Sequence, residues 1–90
     1  FNLAQNYPNP FNPTTNIDFN LTKSSQITLT IYNILGEKVR TLVNEKMNAG
    51  PQSITWDATN DHGAQVATGV YFYKLESIEG QLQKKMLLIK

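Results

Sequence analysis

Gly69-Val70-Tyr71-Phe72-Tyr73-Lys74-Leu75 is the densest run of β-branched and aromatic residues in the chain. Ala67-Thr68 precedes it and Glu79-Gly80 closes the segment behind it. A short run of this kind between glycines reads as a strand, because such side chains pack well on a pleated surface and glycine punctuates the ends. Side chains alternate along a strand, so Tyr71, Tyr73 and Leu75 share one face and Val70, Phe72 and Lys74 the other. Apolar bulk on both faces predicts a strand with neighbours on each edge and at least one face in the core.

Working outward, the same alternation appears twice upstream. Ile17, Phe19 and Leu21 alternate with Asn16, Asp18 and Asn20. After the polar break Thr22-Lys23-Ser24-Ser25, Ile27, Leu29 and Ile31 alternate with Thr28, Thr30 and Tyr32. Each is a strand with one apolar face, and the two either pair or face each other across the core. Asn33-Ile34-Leu35-Gly36 is a turn with Gly36 as its left-handed residue. Lys38 to Val43 is expected to return as a hairpin strand with Val39 and either Leu42 or Val43 inward. Leu35 to Asn44 is the one region where a helix competes.

Asn44 to Gly50 is polar and ends in Ala49-Gly50-Pro51, a turn signal. Gln52 to Asp57 is a strand with Ile54 and Trp56 on one face. Asn60-Asp61-His62-Gly63 is a turn, and Gln81 to Lys90 is the last strand. Six or seven short strands without a helical period predict an all-β protein, an immunoglobulin-like antiparallel β-sandwich. The Gly-x-Tyr-x-Tyr spacing at Gly69–Tyr73 resembles the corner strand of such sandwiches, where a tyrosine hydroxyl ties back to nearby backbone.

Residues 1–15 differ in composition: Tyr7-Pro8-Asn9-Pro10-Phe11-Asn12-Pro13 holds three of the four prolines. Proline removes a backbone donor and pushes its predecessor toward extended geometry, so this lead-in cannot be a central strand. It is either a linker or an ordered strap with Tyr7 and Phe11 as apolar plugs, ahead of a sandwich over residues 16–90. Pro10-x-x-Pro13 also fits the minimal polyproline ligand pattern, a common and unspecific one.

The totals narrow the function. A chain of 90 residues makes one domain and buries roughly 60–65% of its unfolded surface, so core packing must be efficient. There is no cysteine, hence no disulfide framework or thiolate metal site. Eight Lys/Arg against seven Asp/Glu give a net charge of +1, too balanced for nucleic-acid binding. No apolar run approaches the ~18 residues of a membrane span. The chain opens Phe1-Asn2-Leu3 without methionine, which reads as a piece cut from a longer protein, any export signal lying upstream.

Candidate chemistry is sparse. His62 lies in a polar turn without partner ligands. Asp57, Asn60 and Asp61 are weak calcium candidates, but their spacing departs from the EF-hand loop, and such side chains more often shape turns. No serine or threonine has an evident base, and the seven acids form no recognisable catalytic pair. The sequence therefore points to no enzyme and no cofactor. Asn20-Leu21-Thr22 is a glycosylation sequon, meaningful only in a eukaryotic secretory setting. Tyr32, Phe72 and Tyr73 are either a sugar-stacking strip or cross-strand packing pairs.

An ordered string of short motifs resembles the type A C-terminal sorting domains of the type IX (Por) secretion system, themselves related to the Ig-like domain of the flagellar hook-capping protein. Tyr7 to Thr15 is similar to their opening signature. Ile27 to Gly36 follows their Val-x-Leu-x-Ile/Val-Tyr-Asp/Asn-x-x-Gly block, and Val39 to Leu42, Ala49-Gly50, Trp56-Asp57 with Asn60 and Gly63, and Thr68 to Leu75 match later blocks in order. Lys84 to Lys90 matches the closing one. Ala58 replaces the usual glycine after Trp-Asp, and Phe19-Asn20-Leu21-Thr22 stands where Tyr-x-Leu-Pro is common.

The resemblance implies a module that directs an upstream cargo domain from the periplasm through the outer membrane, to the cell surface or medium. It implies translocon, shuttle and sortase-like proteins as partners, without membrane insertion, and a recognition tail of Lys84, Lys85, Met86, Leu87, Leu88, Ile89 and Lys90. A terminal strand at a sheet edge suits handover by strand addition. The competing expectation is a structural or carbohydrate-binding Ig-like module that stays with an extracellular enzyme.

Overall fold

The computed structural model describes residues 1–90 and contains seven strands and no helix: β1 (Asn2–Leu3), β2 (Thr15–Leu21), β3 (Ser25–Asn33), β4 (Lys38–Met47), β5 (Gly50–Trp56), β6 (Gly69–Ser77) and β7 (Gly80–Leu88). They form two antiparallel sheets, β1-β2-β5 and β4-β3-β6-β7. This is the predicted immunoglobulin-like sandwich. β2 and β3 lie in different sheets and face each other across the core.

The alternating residues of the two inner faces make that core. Ile17, Phe19 and Leu21 from β2 meet Ile27, Leu29 and Ile31 from β3 and Tyr71, Tyr73 and Leu75 from β6, all buried. β6 is flanked on both edges, by β3 and β7. Removing so many apolar side chains from water supplies the main stabilising term, about 1.5–3 kcal/mol for each large one. The Tyr71 hydroxyl donates to the Ala67 carbonyl at 2.6 Å, four residues upstream, completing the tyrosine corner that the spacing indicates. Trp56 packs between Phe11 and Tyr71, with ring centroids 5.7 and 5.5 Å away. Its indole N–H donates to the Thr59 carbonyl at 2.9 Å.

β4 is the hairpin strand expected from Lys38, not the competing helix, but it runs further than expected, through the polar residues to Met47, which pairs with Ser25. Ladder hydrogen bonds do not require apolar side chains, and charged residues suit an edge strand. Its inward residues are hard to read because the pairing slips twice. Leu29 and Thr30 pair with Val43 and Thr41, leaving Leu42 extra, while Ile31 and Tyr32 pair with Arg40 and Lys38, leaving Val39 extra. Each bulge reverses the side-chain parity. Val43 is therefore buried, with Val39 and Leu42 both packed against the core.

Two turns share one bonding pattern. Asn33 Oδ1 accepts from the N–H groups of Leu35 and Glu37 at 3.0 Å, while Gly36 N–H donates to the Asn33 carbonyl. Asn60 Oδ1 likewise accepts from His62 and Ala64 at 2.9 and 3.1 Å, while Gly63 N–H donates to the Asn60 carbonyl. Gly36 and Gly63 have φ of 81° and 82°, a left-handed geometry that favours glycine. Asn-x-x-Gly is thus a self-capping turn used twice.

Candidate recognition surface

The candidate recognition tail, residues 84–90, occupies the second half of β7 and the two residues after it. Its side chains divide by parity. Met86 and Leu88 are buried in the core, Leu87 is half-buried, and Lys84, Lys85, Ile89 and Lys90 are exposed. Lys84 shares the core-side parity of Met86 and Leu88, yet lies exposed at the rim of the sheet. A charge of that kind discourages edge-to-edge pairing.

β7 is an edge strand by sheet order, but the edge along the tail is occupied. Residues 1–11 start beside β2, with Asn2 and Leu3 opposite Asn20 and Phe19. Tyr7 and Asn16 then exchange backbone hydrogen bonds at 3.0 and 2.9 Å. Beyond the prolines the segment crosses to the other sheet and runs parallel to β7, with Phe11 opposite Leu88. There the Phe11 N–H donates to the Leu87 carbonyl, and the Ile89 N–H to the Phe11 carbonyl, both at 3.0 Å. The Leu87 N–H donates to Asn9 Oδ1 at 3.0 Å, and Gln5 Nε2 to the Lys85 carbonyl at 2.7 Å. One short segment closes the sandwich by joining both sheets.

Phe11 is a plug, as expected. Tyr7 is not. It is 79% exposed, because its backbone makes the bridge to Asn16 and turns the side chain to solvent. The buried partner is Asn6, which hydrophobic patterning passes over. Its backbone N–H donates to the Tyr73 hydroxyl at 2.8 Å, and Nδ2 to Thr15 Oγ1 at 3.0 Å and the Pro8 carbonyl at 3.2 Å. The Tyr73 hydroxyl donates in turn to the Ala4 carbonyl at 2.8 Å. Burial pushes the Tyr73 phenol up to about 12. Gln5, Asn6 and Asn9 carried no sequence signal beyond their place in an Asn/Pro-rich stretch.

Asp57, Asn60 and Asp61 sit in one loop, with their oxygens engaged in structure. Asp57 Oδ1 accepts from the Thr59 hydroxyl at 2.5 Å and faces Arg40 Nη1 at 3.3 Å. The Thr59 hydrogen bond, reinforced by Arg40, holds this carboxyl below the usual range against the opposing effect of burial. Asp61 Oδ1 accepts from the Thr41 N–H at 3.1 Å, and the Asp61 N–H donates to the Val39 carbonyl at 3.1 Å. The loop therefore covers part of the outer edge of β4. No three His, Cys, Asp or Glu side chains are grouped to hold a metal ion. His62 is exposed at the turn.

The aromatic strip divides similarly. Tyr73 is buried, whereas Tyr32 and Phe72 sit opposite one another on the outer face of the four-stranded sheet, beside a shallow groove of about 300 Å³. The Lys74 ammonium lies 5.2 Å from the Tyr32 ring centroid, a cation–π contact that covers this stacking surface.

The model of the FlgD Ig-like domain matches residues 7–81. The chain belongs to that family. No curated protein matches the sequence significantly. Among solved structures, dimeric latent PorU from Porphyromonas gingivalis is similar, with a TM-score of 0.76 and 24% identity over 94% of this chain and 9% of that one. PorZ from the same bacterium, described as an essential surface component of the type-IX secretion system, gives a TM-score of 0.62 and 20% identity over 96% of this chain and 11% of that one. FlgD from Xanthomonas campestris gives 0.67 and 20%, over 94% and 64% of the two chains. At these identities the likeness establishes the shared fold. The FlgD Ig-like domain family member described here spans only about a tenth of PorU and PorZ.

Proposed function

We propose that this domain is a sorting module that directs a cargo, carried in the same polypeptide, through the outer membrane by a type IX secretion system. It leaves the cargo at the cell surface or in the medium. The observation that carries the reading is the division of the tail: residues 84–90 belong to the fold through Met86 and Leu88, and leave Lys84, Lys85, Ile89 and Lys90 exposed around them. The ordered motif string over the whole chain supports it, as does the shared fold with PorU and PorZ. Recognition is by translocon and shuttle proteins, followed in one version of the pathway by a sortase-like peptidase, and the module itself is no enzyme.

The test is export of a reporter fused ahead of the domain in a type IX-competent bacterium. Deleting residues 84–90 removes Met86 and Leu88 from the core and destroys the fold with the signal. Substitution of the exposed residues avoids this: Lys84→Glu, Lys85→Glu and Lys90→Glu together, and Ile89→Asp separately. The intact fusion is expected outside the cell and the folded variants in the periplasm. Equal export of intact and substituted fusions, or of neither, overturns the reading and favours a structural or sugar-binding module retained by its enzyme.

A further inference from the structure

Residues 5–11 hold the outer edge of β7 in an unusual way. The segment makes two backbone hydrogen bonds to β7 and its end at Phe11 and two side-chain hydrogen bonds, one donated by Gln5 and one accepted by Asn9, and it buries Phe11 and Asn6, each at 2% exposure. Residues 1–17 contain no charged side chain, so no ion pair secures it. Gln5, Tyr7, Pro8, Asn9 and Pro10 are exposed, as are Asn12, Pro13 and Thr14, which connect the segment to β2. Along the same strip every inward requirement is met by a matched group: a carbonyl at Lys85, an N–H and a carbonyl at Leu87, an N–H at Ile89, and a slot for an aromatic ring beside Trp56. A strand edge with a side-chain pocket is the geometry by which sheets take up extended peptides.

We infer that the outer edge of β7 from Lys85 to Ile89 is an acceptor site for an extended peptide supplied in trans, and that residues 5–11 are its built-in occupant. The ligand is an uncharged extended segment with a side-chain amide followed two residues later by an aromatic ring, as Asn9 and Phe11 are placed here. The prolines at positions 8 and 10 let such a segment fill the edge while offering fewer donors for a further strand, so occupation ends the sheet. This site is independent of whether the tail directs export.

The probe is a fluorescein-labelled synthetic peptide with the sequence of residues 3–13, and a second peptide carrying Phe11→Ala. Anisotropy is measured against the intact chain and an Asn9→Ala, Phe11→Ala double variant. Trp56, the only tryptophan, reports on the refilled slot by its own emission. The double variant is expected to bind the first peptide at least tenfold more tightly than the intact chain does, and to discriminate at least tenfold against the second. If that variant is unfolded alone, recovery of its folded spectrum on adding the first peptide, and not the second, counts equally in favour. A Gln5→Ala, Asn9→Ala variant, which leaves Phe11 in the core, is expected to exchange its Leu87 amide at least tenfold faster than the intact chain. Equal binding to intact and double-variant chains, binding indifferent to the ring, or unchanged Leu87 exchange each overturns the inference.

Discussion

The Tyr73 hydroxyl donates to the Ala4 carbonyl at 2.8 Å, joining the middle of the central strand to a residue 69 positions earlier. The same oxygen accepts from the Asn6 N–H. The phenol is thus a neutral donor and acceptor at once, and ionisation would abolish the donation. Its ionisation is displaced upward to about 12 by burial, from about 10 in an unfolded chain. A raised folded-state value means that the contribution is complete below pH 10 and is lost as pH rises through 12. Stability is expected to fall across that window by on the order of 2 kcal/mol. Tyr71, also raised by burial, acts in the same direction. Urea unfolding at stepped pH reads the slope, and Tyr73→Phe should flatten it while costing about 1–3 kcal/mol at neutral pH.

The paired Asn-x-x-Gly turns give a second prediction. Asn33→Ala and Asn60→Ala each remove an oxygen that accepts two backbone N–H groups, and each is expected to cost about 0.5–1.5 kcal/mol in chemical denaturation. Asn→Asp at either position keeps the acceptor and should recover most of the loss. If Asp is no better than Ala, the side-chain oxygen is not what shapes these turns.

Ala58 combines full burial with φ of 64°. A left-handed alanine costs roughly 1–2 kcal/mol, while its buried methyl contributes about 0.8 kcal/mol, and an added glycine loosens the unfolded chain. These terms nearly cancel, so Ala58→Gly should change stability by less than about 1 kcal/mol. Ala58→Val, β-branched in the same geometry, is expected to lose more than about 2 kcal/mol. A thermal melt of the three proteins decides it.

Asp61 covers the Thr41 N–H on the outer edge of β4. Asp61→Ala should free that amide, accelerating its hydrogen exchange several-fold at a stability loss of about 1 kcal/mol or less, since the site is exposed. Exchange as slow as in the intact chain would show that the remaining loop contacts protect the edge without the carboxylate.

How far the fold could be read from the sequence depended on parity. β2, β3 and β6 alternate without interruption, and their inner faces are the residues the alternation selects. β4 was obscured because its two bulges, at Leu42 and Val39, reverse the parity within a few residues. Its polar second half carries no apolar face to read. The site was legible in part for a related reason. Phe11 announced itself as an isolated aromatic in a polar stretch, whereas Asn6, Gln5 and Asn9 act through hydrogen bonds to backbone far away in sequence. Nothing in local composition marks such partners. Tyr7 faces solvent, against its size and hydrophobicity, because those properties say nothing about which way a bridging residue faces.

The division of β7 into core-facing and solvent-facing positions ties display to integrity. Lys85 and Ile89 stand in register only while Met86 and Leu88 are seated against β6 and the interior. Those in turn require Trp56, Phe11 and the strands that enclose them. A chain with a defect anywhere in that interior loses the spatial pattern at its end, although every residue of the pattern is still present. Under the proposed function, the last strand would therefore be a readout of completed folding, and a receptor reading it would inspect the whole domain through a handful of side chains.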